Sequence, residues 1–185
     1  MELTTPRLNI RFVRETDWPD LIRIWDDFGR SEYARYDVPH TATEAEAREK
    51  ARSWTEVSPG MEHMFFAVCL DGEMIGYADF HKTGDGYECG YCFHSDFHGK
   101  GYAGESLQAL LKELAGGRRT RFTAGTALQN IRSVRLLHSL GFVKTGEEPV
   151  SFYQDENGED VVFTGGVFAL DVNGEGNAPF IRPDP

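Results

Sequence analysis

Apolar residues recur along this chain with two different periods, and each change of period marks a new element. In Arg7-Leu-Asn-Ile-Arg-Phe-Val-Arg14, Leu8, Ile10 and Phe12 alternate with polar neighbours, which predicts a half-buried strand. Trp18, Leu21, Ile22, Trp25 and Phe28 then fall at helical spacing, predicting a helix capped by Thr16 and entered through Asp17, Pro19 and Asp20. Residues 29–42 form a polar connection that carries Tyr33, Tyr36, Pro39 and His40. Thr43-Glu-Ala-Glu46 is a capping box, and Ala47, Ala51 and Trp54 mark the buried side of a second helix that Ser58-Pro-Gly60 stops.

Residues 63–70 and 74–81 read as strands joined through Asp71-Gly-Glu73, a hairpin signal. Gly84-Asp-Gly86 turns the chain again, into a strand from about Tyr87 to His94. Ala103, Leu107, Leu110, Leu111 and Leu114 line one face of a helix that ends at Gly116-Gly117. Arg119 to Ala127 alternates as a strand and follows a helical crossover, so it is expected to lie parallel to the strand at 87–94. Asn130 caps a further helix running to Leu140, and residues 142–153 and 160–170 form a closing pair around Asp155-Glu-Asn-Gly158. The order β-αα-βββ-α-β-α-ββ predicts an α/β (α+β) fold, with one domain over 1–170 and a flexible tail over 171–185.

Composition adds limits to this picture. At 185 residues, 40% hydrophobic and 12% aromatic, the chain suits one domain with a sizeable core. No apolar run approaches the length of a membrane span, and Met-Glu-Leu-Thr-Thr-Pro lacks the layout of a signal peptide, so a cytoplasmic location and no membrane partner are expected. The net charge of -11 argues against a nucleic-acid surface and fits a cationic acceptor such as an amine. A homodimer is compatible with these features. Cys69, Cys89 and Cys92 are an odd count and are expected as free thiols. Cys89 and Cys92 with His94 and His98 suggest a metal site, but the two cysteines should point to opposite faces of a strand and the spacing is too compressed, so no metal is expected.

The chemistry centres on His98-Gly-Lys-Gly-Tyr-Ala103, a sharp turn between a strand and a helix. Gly99 and Gly101 permit close backbone approach, and the helix start directs its N–H groups and dipole at the turn, which predicts a site for phosphate or pyrophosphate. A purely structural tight turn is the alternative reading. The Walker spacing fails because Lys100 lies between the glycines with no Ser or Thr behind it, and a dinucleotide fingerprint is weakened by Arg121 and Phe122, where an acid is needed.

The remaining pattern is Arg/Gln-x-x-Gly-x-Gly/Ala, and in it the stretch resembles the acyl-CoA loop of the GNAT superfamily of N-acetyltransferases, departing only at His98. Asn130-x-x-Ser-x-x-Leu-Leu-x-x-x-Gly-Phe142 resembles the second segment by which that family is known, most closely in its ribosomal-protein N-terminal acetyltransferase branch. The resemblance implies a mixed, mostly antiparallel central sheet with helices on both faces. It also implies that acetyl-CoA is the cosubstrate, and that the acceptor is a primary amine on a small molecule or a protein N-terminus.

In that reading His98, Gly99, Lys100, Gly101, Tyr102, Ala103 and Asn130 hold the cofactor. The amine must attack unprotonated, and Glu88 matches the family's general-base position, with a plain strand carboxylate as its alternative. Leu137 stands where many members carry a tyrosine that protonates the departing thiolate, so Ser133, one turn earlier, is the substitute donor. An acyl-CoA-binding regulatory domain without turnover is the competing function.

Overall fold

The computed structural model describes residues 1–38, 43–84 and 86–172. Its elements in chain order are β1 (Glu2–Thr4), β2 (Asn9–Phe12), α1 (Trp18–Gly29), α2 (Glu44–Val57), β3 (His63–Leu70), β4 (Glu73–Thr83), β5 (Gly86–Phe93), α3 (Tyr102–Ala115), β6 (Thr120–Ala127), α4 (Ile131–Ser139), β7 (Val143–Gln154) and β8 (Asp160–Val172). Among the described residues the strands form one sheet in the order β1-β2-β3-β4-β5-β6-β8-β7. Every neighbouring pair is antiparallel except β5 with β6, as a helical crossover requires.

Helices cover both faces of the sheet. On one face Leu21, Ile24 and Trp25 of α1 and Ala47, Ala51 and Trp54 of α2 bury against Ala67, Cys69, Met74 and Tyr77. Trp54 stacks on Phe65 at 4.3 Å between ring centres and tilts against Tyr77 at 5.2 Å. On the other face Leu107, Leu110, Leu111 and Leu114 of α3 and Leu137 of α4 meet Ile10, Phe66, Phe80, Phe122 and Phe168. Cys89 belongs to this second core while Cys92 packs against the first, so the two thiols lie on opposite sides of β5.

Local signals were followed closely at most junctions. Thr43 Oγ1 accepts from the Glu46 N–H at 3.3 Å and Glu46 returns a bond to the Thr43 N–H at 2.8 Å, completing the capping box of α2. Asp71 and Gly72 both take positive φ, 51° and 89°, the backbone of a two-residue hairpin turn. The entry to α1 differs from expectation. A short 3-10 turn over Glu15–Asp17 precedes it, and Asp17, not Thr16, stands at the N-cap without a side-chain cap bond. Its carboxylate is committed elsewhere, accepting from Arg11 at 2.7 and 2.9 Å and from the Arg14 N–H at 2.8 Å.

Two stretches go beyond the sequence expectation. β1 is a three-residue strand, too short to show a period, held by pairing with β2. β8 continues through Asp171 and Val172, which pair with Arg121 and Thr120; the expected tail from 173 onward lies outside the described residues, as do Pro39, His40 and Asp85.

Candidate active site

β5 and β6 run together only briefly. Among the described residues their parallel pairing covers Tyr87↔Phe122 and Glu88↔Thr123, after which the strands diverge. The divergence leaves the inner edges of both strands without a strand partner, and an extended amide-bearing ligand can bond there. Glu88 sits at the narrow end of this opening, and the glycine loop lies beyond the far end of β5.

The loop has the backbone that the sequence predicts. Gly99 and Gly101 take φ of 71° and 82°, and Gly101 is the N-cap of α3, with no side chain capping the first turn. A Cβ at Gly101 would lie 3.3 Å from the Arg7 guanidinium, in a conformation L residues avoid. The loop is braced from two sides. Arg7 donates to the Lys100 carbonyl at 2.9 Å and pairs with Glu105 at 2.6 Å, and Thr5 Oγ1 donates to Glu105 at 2.6 Å. Burial pushes the Glu105 carboxyl up, but these donors outweigh it and hold it below its ordinary range. From α1, Asp27 accepts from the Ser95 N–H at 2.7 Å and its hydroxyl at 2.8 Å.

His98 is fully engaged within the protein. Its Nε2 lies 2.8 Å from the Phe93 carbonyl and its Nδ1 lies 3.2 Å from an Arg132 guanidinium nitrogen. A carbonyl can only accept and a guanidinium can only donate, so the pattern calls for the Nε2–H tautomer. The ring therefore offers nothing more to a ligand, but it steadies Arg132 beside the loop.

On the α1/α2 face, three side chains that the sequence reading missed gather near Glu88. His81 lies directly across the β4–β5 ladder from Glu88, its Nε2 is 3.0 Å from Asp79, and its Nδ1 is 2.9 Å from Nδ1 of His63. Asp79 occupies the space above Gly90, where an added Cβ would come within 2.8 Å of its oxygens. The hydrogen bond to Asp79, opposed by burial and aided by the charges of Asp79 and Glu88, raises the pKa of His81. An exposed Glu88 thus faces an imidazole biased toward its cation.

Asn130 caps α4, its Oδ1 accepting from the Ser133 N–H at 3.1 Å. Ser133 Oγ lies 2.8 Å from the Tyr91 hydroxyl of β5, so this pair bridges strand and helix. Leu137 is buried in the core, 1% exposed, and contributes no polar group. Next to Asn130, Gln129 lines a cavity of about 680 Å³ between the short turn at 34–36 and the β7–β8 pair, together with Arg35, Tyr36, Glu148, Val161 and Phe163. Among the described residues no group of three His, Cys, Asp or Glu side chains is placed to hold a metal ion.

Comparison with known proteins agrees with this geometry. The sequence profile described as "Acetyltransferase (GNAT) domain" matches residues 7–143. The chain is 31% identical over 154 residues to the uncharacterized N-acetyltransferase YnaD of Bacillus subtilis, covering 79% of this chain and 85% of that protein. Its fold is similar to that of RimL, a ribosomal-protein alpha-N-acetyltransferase solved with coenzyme A, at a TM-score of 0.79 and 19% identity, covering 95% of this chain and 100% of that one. It is also similar to a ribosomal-protein-S5-alanine acetyltransferase from Vibrio fischeri, at a TM-score of 0.72 and 18% identity, covering 98% and 100% of the two chains.

The chain belongs to the GNAT family of acetyltransferases. It is an acetyl-CoA-dependent N-acetyltransferase that acts on a primary amine, and the family does not favour the alternative of a binding domain without turnover. The bare α3 N-terminus, the positive φ of Gly99 and Gly101 and the parted strands fit the elongated, pyrophosphate-bearing cosubstrate.

Proposed function

We propose that the acceptor is the α-amino group of a protein N-terminus. The observation that carries this reading is the cavity beside Asn130, about 680 Å³, walled by Tyr36, Val161 and Phe163 and edged by Glu148. Apolar walls suit the first side chains of a peptide, and Glu147 and Glu148, which outnumber Arg35 in the lining, suit its cationic end. Likeness to ribosomal-protein acetyltransferases supports the same choice.

Acetyl-CoA supplies the acetyl group as a thioester when bound. The amides from Gly99 to Ala103 bind its pyrophosphate at the positive end of α3. Lys100 and Tyr102 flank that site, and Arg132, steadied by His98, adds a cation beside it. Asn130 contacts the pantetheine region. Glu88 accepts the proton of the attacking amine, through a water, from its place across the β4–β5 ladder from His81. Ser133 offers its hydroxyl to the departing sulfur as a hydrogen bond, since an alkyl hydroxyl is a far weaker acid than a thiol near pKa 8.5. The three free cysteines accord with a cytoplasmic setting.

A panel of short peptides with free or blocked N-termini, set beside polyamines, amino acids and aminoglycosides, tests the proposal by release of CoA thiol. Turnover of free N-termini but not of blocked ones is expected. Turnover confined to small amines would replace the peptide reading with a metabolite acetyltransferase.

A further inference from the structure

The inference here rests on the reading of Ser133 as the group beside the departing sulfur and concerns the residue behind it. Tyr91 lies on β5 three positions after Glu88, where β5 and β6 have already parted. Its ring packs against the core on the α3/α4 face, and its hydroxyl meets Ser133 Oγ at 2.8 Å in the first turn of α4. The contact therefore spans the side of the opening on which α4 lies. Burial holds the Tyr91 phenol well above its ordinary pKa, and the Ser133 hydrogen bond offsets this only in part.

A phenol so placed keeps its proton throughout the working pH range. It cannot serve as a proton source, but it is a permanent hydrogen-bond donor. Ser133 carries one O–H and two lone pairs, and its backbone N–H is already taken by Asn130. When the phenol donates into Oγ, the serine proton must point elsewhere, and the two O–H groups polarise each other along one line.

We propose that Tyr91 is a positioning residue for acetyl transfer: its hydroxyl donates to Ser133 Oγ and directs the Ser133 O–H at the sulfur leaving within the β5–β6 opening. No proton leaves Tyr91 in this scheme. The serine hydrogen bond strengthens as charge develops on sulfur, so its benefit falls on kcat and hardly on ground-state affinity.

The test is a double-mutant cycle of Tyr91→Phe and Ser133→Ala, with kcat, acetyl-CoA affinity by calorimetry and thermal stability measured on the same samples. Tyr91→Phe removes one oxygen and keeps the ring. It should lower kcat roughly 3- to 10-fold with CoA affinity within about 2-fold, the pattern of an interaction made in the transition state. Ser133→Ala should lower kcat at least as much, and the double variant should be no slower than Ser133→Ala, because the tyrosine acts only through the serine. In a Ser133→Thr background, which keeps the hydroxyl, Tyr91→Phe should again slow turnover. Full activity in Ser133→Ala would remove the serine reading itself. A slowed Ser133→Ala with an unchanged Tyr91→Phe, or losses that multiply in the double variant, would overturn the Tyr91 inference while leaving Ser133 in place. Should Tyr91→Phe fail to fold, the Ser133→Thr enzyme compared with Ser133→Ala still decides: equal kcat in the two would mean that no directed hydroxyl operates.

Discussion

At the scale of single residues, Glu88, the proposed base, is exposed, stands where two strands part and lies across the ladder from a raised-pKa histidine. Glu88→Gln is expected to lower kcat by about 10²-fold with acetyl-CoA affinity nearly unchanged, as for loss of a general base. Steady-state kinetics paired with calorimetry checks this, and full turnover in the variant would return Glu88 to a strand carboxylate. His81 yields a prediction about pH. Its folded pKa is raised, so its contribution to stability is complete below the ordinary histidine value of about 6.5 and fades as pH climbs through the folded value. The thermal advantage of the wild type over His81→Asn should therefore be larger near pH 6 than near pH 8.5, by calorimetric melting. Glu88 was named through the family resemblance, from its place in the strand ahead of the glycine loop. Asp79 and His81 were not, because they reach Glu88 only through the β4–β5 register, which one strand's alternation does not specify. The commitment of His98 was hidden for a similar reason, since its second partner, Arg132, belongs to a helix built from a later segment.

At the scale of elements, the loop between β5 and α3 combines sequence signals that could be read with braces that could not. The glycines announced positive φ, and both have it. CoA is expected to raise the melting temperature of the wild type, and NAD or ATP to raise it much less, because the site is shaped for a pyrophosphate that continues into a strand-like arm. Gly101→Val should abolish the CoA shift, since a β-branched residue resists φ of 82° and its Cβ would crowd Arg7. Equal shifts for all three nucleotides, or an intact shift in the variant, would count against the loop. Arg7 and Thr5, by contrast, read only as the approach to a strand. Their grip on Glu105 and Lys100 joins segments about 100 positions apart and leaves no local trace. Helix faces were similarly readable but incomplete: α1 buries Ile24 with Leu21 and Trp25, while Trp18, on the predicted apolar face, is half-buried with Arg48 over its ring at 3.9 Å.

At the scale of the molecule, the arrangement of elements followed from their order, because a meander, a helical crossover and a closing pair leave few ways to build one sheet. The single parallel contact was accordingly predictable, and helices on both faces were implied by the family resemblance. The place of the last strand was not. β8 passes between β6 and β7 instead of adding to the edge, and from Thr120 to Ala127 it supplies the antiparallel partner of β6. That insertion has a consequence for synthesis on the ribosome. Among the described residues β6 pairs with β5 at only two register positions, so its main strand partner is β8, residues 160–172, which follows it by more than 30 positions in the chain. Without that segment β6, the strand forming one wall of the opening, would present a bare edge during synthesis. The proposed cofactor-loop and proton-handling residues thus all precede, along the chain, the strand that supports one wall of their opening.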